Sequence, residues 1–114
     1  MDKPSLQIDI ETMGSSTYLT PLGDIDLSKS TELRNALRPV LEAKPNSIIV
    51  DLSHVPYMDS SAIATLIEGL QLAKLSGIEF ILCALTTGVQ SIIELAKLDQ
   101  IFTIHKSRDQ SLGE

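Results

Sequence analysis

An aspartate followed by two serines, Asp59-Ser60-Ser61, stands where a strand-like apolar run has ended and a helical pattern begins. An Asp or Ser at that place caps the helix by accepting a hydrogen bond from a free backbone N–H, a contribution of about 1 kcal/mol. One cap needs one residue, and here two adjacent serines stand beside the aspartate. Another acidic pair, Asp24 and Asp26, lies in the loop Gly23-Asp24-Ile25-Asp26 after an earlier strand. If the two loops cluster, a serine is exposed on an acidic surface.

Other chemistries lack their residues. A Ser-His-Asp hydrolase needs a base within hydrogen-bond reach of its serine. The chain has two histidines, His54 and His105. His54 precedes Ser60 in the same loop, but no Gly-x-Ser-x-Gly elbow is present. His54 reads as a solvated loop residue and His105 as a strand-end residue. Two isolated histidines and one cysteine lack metal-ligand spacing. Gly23, Gly69, Gly77 and Gly88 are isolated, so nothing resembles a phosphate-cradling loop. We therefore expect no catalytic residue, no metal and no cofactor. Cys83, inside an apolar run, reads as a buried small hydrophobe. Asp51 ends a strand as the phospho-acceptor of a receiver domain would, with Lys106 after the last strand. Against that reading, the chain opens with two strands, and no acidic pair directly follows the first.

The elements that position these residues follow from period and punctuation. Residues 5–11 alternate, with Leu6, Ile8 and Ile10 apolar, as in a half-buried strand. A turn at 13–16 leads to a second strand, 16–22, so the two form a hairpin. Pro21 suggests an edge or a bulge there. Leu33, Leu37, Val40 and Leu41 share one helical face, which predicts a helix over 30–43 capped by Ser28 or Ser30. Pro39 predicts a kink or an early end near residue 38. Residues 47–52 contain Ile48-Ile49-Val50, apolar on successive positions and therefore a central strand buried on both faces. After the loop 53–59 a helix runs over 60–75, with Gly77 as its C-terminal cap. A buried strand over 78–85, a helix over 88–97 and a short strand over 101–105 complete the order β-β-α-β-α-β-α-β. The polar tail 106–114 should fray. This is an α/β domain with a mixed sheet, an opening hairpin followed by parallel strands, and helices mainly on one face.

Composition limits the function. A chain of 114 residues is one domain. Its 43% hydrophobic and 21% charged content excludes whole-chain disorder. The net charge of −6 argues against direct nucleic-acid binding, because phosphate backbones repel an acidic chain. No apolar stretch approaches the ~20 residues that cross a bilayer. Met1-Asp2-Lys3-Pro4 shows no secretory pattern, and one cysteine cannot form an internal disulfide. A cytoplasmic location without membrane insertion is expected.

The segment Asp51-Leu52-Ser53-His54-Val55 through Met58-Asp59-Ser60-Ser61-Ala62-Ile63 resembles the signature of STAS-domain anti-sigma factor antagonists. Gly23-Asp24-Ile25-Asp26 is similar to the loop those proteins carry before their first helix. Element order and length agree across essentially the whole chain. The resemblance implies a partner-switching role. The serine after the aspartate, here Ser60, is phosphorylated by a partner that is both a serine kinase and an anti-sigma factor. The unphosphorylated antagonist binds that kinase and frees the sigma factor, and a PP2C-type phosphatase resets the switch. Asp26 matches the family's acidic position near the partner surface, with Asp24 beside it and Asp59, Ser61 and Ala62 flanking the serine. The family usually has glycine where this chain has Ala62, whose side chain would crowd a close approach by the kinase. The resemblance also admits STAS subunits of transporters or of stress-sensing assemblies.

Overall fold

Gln7–Met13 (β1) and Ser16–Leu22 (β2) form an antiparallel hairpin around Gly14-Ser15. Gly14 has φ +63° and Ser15 a negative φ, the sign pattern of a type II′ turn, whose twist suits a hairpin. Pairing alternates between hydrogen-bonded and open pairs from the turn outward, which puts Pro21 opposite Ile8 in an open pair. Its missing N–H points to the side of β3, where the pairing has already ended at Leu19. Pro21 therefore breaks no ladder bond and needs no bulge. The computed structural model describes residues 5–109; the readings made on residues 1–4 and 110–114 lie outside them.

The chain continues through helix α1 (Leu27–Ala43), β3 (Ser47–Asp51), α2 (Ser60–Leu75), β4 (Glu79–Cys83), α3 (Thr87–Leu95), a 3-10 turn (Leu98–Gln100) and β5 (Thr103–His105). The strands lie in chain order, β1-β2-β3-β4-β5, and β2 to β5 pair in parallel. β3 sits at the centre and is buried throughout, as its unalternating sequence predicts. α1, α2 and α3 all pack on one face, against Leu19, Ile48, Val50, Phe80 and Leu82. β1 departs from the expected half-buried strand. Leu6, just before it, is buried and Ile8 packs on the core, but Ile10 is 52% exposed because β1 is the sheet edge and the helices do not reach it.

α1 begins at Leu27, not at residue 30, and its cap is Asp26 rather than Ser28 or Ser30. The exposed Leu27 hides that first turn from a search for apolar periodicity. Pro39 does not end the helix. It lies on the exposed side between the buried Leu37 and Val40, where water can take the carbonyl left without a partner. Lys44 closes the helix in a left-handed conformation at φ 53°. α2 has the expected bounds, and Gly77, at φ +72°, stands just beyond its end.

The other face of the sheet carries Tyr18, Ile49, Ile81 and Cys83, all buried. Arg108 lies over it. Its guanidinium is 4.7 Å from the Tyr18 ring centroid, donates to Thr20 Oγ1 (2.8 Å) and Glu11 Oε1 (3.1 Å), and places Nε 3.3 Å from Asp51 Oδ2. Of the tail 106–114, expected to fray, Arg108 is held in these contacts, and 110–114 lie outside the described residues. The polar residues after β5 include one that closes the sheet's second face, and a charged side chain gives no apolar signal of that role.

Candidate functional site

The loops before α1 and α2 run side by side as a short parallel ladder. Gly23 N–H donates to His54 O (2.9 Å), Ile25 N–H to Tyr57 O (3.0 Å), and Asp59 N–H to Ile25 O (3.1 Å). Ile25, Val55 and Met58 are fully buried beneath it. α3 supports the second loop from beyond, since Thr86 Oγ1 donates to Val55 O at 2.7 Å. Gly88 is pressed so close that a Cβ there would stand 2.6 Å from Pro56 O. The starts of α1 and α2 are thereby fixed next to each other at the C-terminal ends of β2 and β3, the end of a parallel sheet where ligands and partners meet it.

The two helix starts are twins. Asp26 Oδ1 accepts from Ser28 N (3.0 Å) and Ser28 Oγ (2.6 Å). Asp59 Oδ1 accepts from Ser61 N (3.0 Å), Ser61 Oγ (2.5 Å) and Ala62 N (3.3 Å). Asp59 does more than cap its own helix: Oδ2 accepts from Leu27 N at 3.0 Å, across to the first turn of α1. Both carboxyls are held below the usual range, first by the serine hydroxyl each accepts from. Lys29 also lowers Asp26, whereas the charge of Asp59 raises it, as expected for neighbouring carboxylates.

The adjacent serines have different fates. Ser61 Oγ is spent on Asp59. Ser60, at the first helical position, is exposed, and its hydroxyl makes no hydrogen bond among the described residues. Asp24 is exposed in the neighbouring loop, one residue before the bridge of Ile25 with Met58, and caps nothing. Ala62 is fully buried. A helix turns about 100° per residue, so the position two after Ser60 faces inward beside Ile63 and Leu66. Its methyl therefore cannot crowd an approaching partner, which corrects the expectation placed on it. Sequence reading missed Leu27, 75% exposed, and Tyr57, 48% exposed. Both flank the acidic residues and offer apolar surface. A leucine at a first helical position, just after a capping aspartate, was the available signal.

His54 makes no hydrogen bond to Ser60; its side chain lines a polar basin of about 400 Å³ with Asp9, Asp51 and Arg108. Asp51 is buried, with Oδ1 accepting from Ser53 N (3.0 Å) and Oδ2 facing Arg108. Both its oxygens are therefore engaged, unlike those of an open phospho-acceptor. Cys83 is buried and its thiol is pushed up to about 11, chiefly by desolvation. Among the described residues no cluster of His, Cys, Asp and Glu is placed to hold a metal ion, and no helix is long and apolar enough to cross a membrane.

The family model for the STAS domain matches residues 7–111. An anti-sigma factor antagonist from Mycobacterium paratuberculosis superposes with a TM-score of 0.86 at 24% identity, covering 99% of this chain and 97% of that one. The Bacillus cell fate determinant SpoIIAA matches in its phosphorylated form at 0.72 and 12% identity, covering 96% and 97%. Its unphosphorylated form matches at 0.71 and 12%, covering 96% of each chain. A sulfate transporter family protein from Wolinella succinogenes matches at 0.74 and 14%, covering 87% and 83%.

Proposed function

Since the chain belongs to the STAS-domain family, we propose that it is an anti-sigma factor antagonist that switches partners through Ser60. Unphosphorylated, it binds an anti-sigma factor with serine-kinase activity and so releases a sigma factor. Phosphorylation of Ser60 abolishes the binding, and a PP2C-type phosphatase restores it. In this reading the chain is the substrate of an enzyme, not an enzyme, and it works in the cytoplasm. The observation that carries the proposal is the contrast between the adjacent serines: Ser61 is locked to Asp59, and Ser60 is exposed with a free hydroxyl.

The effect of the phosphate follows from charge. A phosphoserine carries roughly −1.5 to −2 at pH 7. A helix N-terminus ordinarily neutralises such a group with free N–H donors. Here Asp59 already takes the Ser61 and Ala62 amides and that of Leu27. The new charge therefore adds to Asp59, Asp26 and Asp24 and repels a partner fitted to the unmodified face. No internal bond of Ser60 is lost, so the fold survives. The near-equal match to both forms of SpoIIAA supports that expectation.

The test has two parts. Intact-mass and fragment analysis of protein purified from its own cells should locate phosphate on Ser60. Affinity capture from native lysate should retain a serine kinase with wild type and lose it with Ser60→Asp. Phosphate on Ser61 alone, or equal retention by both forms, overturns the proposal. The likeness to a sulfate transporter family protein favours a second reading, a transporter-associated STAS subunit. Retention of a transporter component by both forms would select it.

A further inference from the structure

A groove of about 450 Å³ lies between α1 and α2, away from the helix starts that carry Asp26 and Asp59. Its lining residues run from Thr65 to Ser76 on α2, which at 1.5 Å per residue is about 16 Å. Leu37, Leu41 and Leu72 line it, and Leu75 stands 85% exposed at its end. Gly69 adds no side chain; a Cβ there would stand 3.2 Å from the Phe80 ring and 3.5 Å from Leu37 Cδ1. At the other end Arg34 Nε donates to Glu68 Oε1 at 2.9 Å and ties the helices together. The groove is therefore bridged towards the helix starts and open towards their ends.

Its charge runs against that of the molecule. The chain carries −6, yet the groove is lined by three cations, Arg34, Arg38 and Lys44, against two carboxylates, Glu42 and Glu68. Arg34 is satisfied by Glu68, whereas Arg38 and Lys44 are exposed and form no ion pair among the described residues. An apolar trough with unpaired cations on its rim, in the volume range of small-molecule sites, complements one chemical class. We propose that the α1–α2 groove binds a free medium- or long-chain carboxylate, with the alkyl chain along Leu37, Leu41 and Leu72 and the carboxylate at Arg38 and Lys44. A cationic amphiphile would meet Arg38 and Lys44 against one carboxylate unpaired among the described residues, Glu42, so the same rim disfavours it.

Dodecanoate is the probe, titrated below its micelle concentration against 15N-labelled protein and in a calorimeter. Saturable one-to-one binding is expected, with amide shifts centred on the C-terminal halves of α1 and α2. Leu72→Glu, at a position 46% exposed and so tolerant of charge, should weaken binding by about tenfold or more by placing a charge against the alkyl chain. The double variant Arg38→Glu, Lys44→Glu should weaken it comparably. Dodecyltrimethylammonium should bind at least about tenfold more weakly than dodecanoate. Absence of saturable binding, equal affinity for the cationic amphiphile, or wild-type affinity in Leu72→Glu overturns the proposal. So does sedimentation with vesicles of phosphatidylglycerol without binding of free dodecanoate, which would make the groove a membrane contact.

Discussion

Asp59→Ala removes four hydrogen bonds at once, and they divide between two tasks. Oδ1 caps α2 through Ser61 and Ala62, while Oδ2 fastens Leu27 of α1. Loss of an N-cap costs about 1 kcal/mol, and loss of the further hydrogen bond that Leu27 N–H donates to the carboxylate costs about 1 kcal/mol at a half-exposed site. We expect Asp59→Ala to lower unfolding free energy in urea by about 2 kcal/mol, with the m-value unchanged. Asp59→Asn separates the tasks. Its carbonyl oxygen still caps α2, since Asn caps nearly as well as Asp, but its amide nitrogen cannot accept from Leu27. Its cost should be about 1 kcal/mol, with faster hydrogen exchange at the Leu27 amide and unchanged exchange at Ser61. If Asp59→Ala costs under about 0.5 kcal/mol, or if Asp59→Asn leaves Leu27 protected, the claim that Asp59 joins the two helix starts is wrong.

Acid should weaken the same junction. The Asp26 and Asp59 carboxyls titrate lower in the folded chain than unfolded, so the unfolded state binds more protons. Their contribution is full above the unfolded value near 4 and fades over the acid window in which pH falls through the folded values below it. The variant Asp26→Asn, Asp59→Asn should show a shallower loss of stability across that window. Gly88→Ala would set a Cβ 2.6 Å from Pro56 O; a cost of roughly 1–3 kcal/mol is expected, with amide shifts spreading through residues 53–59. Arg108→Leu leaves the buried Asp51 carboxylate without its cation, for a loss of roughly 2 kcal/mol, part of which Asp51→Asn in the same chain should recover. Urea unfolding of the two single variants and the double variant checks this, and no recovery would refute the pairing.

Much of the fold could be read from local pattern. The unalternating Ile48-Ile49-Val50 marks the central strand, and Asp59 followed by the stripe Ile63, Leu66, Ile67 and Leu70 sets both the start and the inward face of α2. What local pattern missed depends on distant partners. Asp26 looked like loop because Leu27 and Ser28, next to it, carry no buried periodicity. Pro39 reads as a breaker unless its exposed side is known. The bond from Asp59 to Leu27 spans 32 residues, and that from Arg108 to Glu11 spans 97. At the site, the pair of serines after Asp59 and the acidic loops were legible from residue type, and the family resemblance alone singled out Ser60. Which serine is free, and which way Ala62 points, required the hydrogen bonds and the helix phase.

A sheet whose strands lie in chain order also bears on how the protein is made. Each new strand docks on the one just synthesised, so no strand waits for a partner far downstream, and loop-closure entropy stays small. A chain growing at about 5–20 residues per second can therefore assemble its sheet from the hairpin onward, with one advancing edge. The contact of Arg108 with Glu11 and Thr20 is the exception. It ties the first strands to a residue beyond the last strand, so it closes only after all five strands have been made. Until then the Tyr18 face stays uncovered on the nascent chain, and that interval is when a chaperone or a neighbouring copy has access to it.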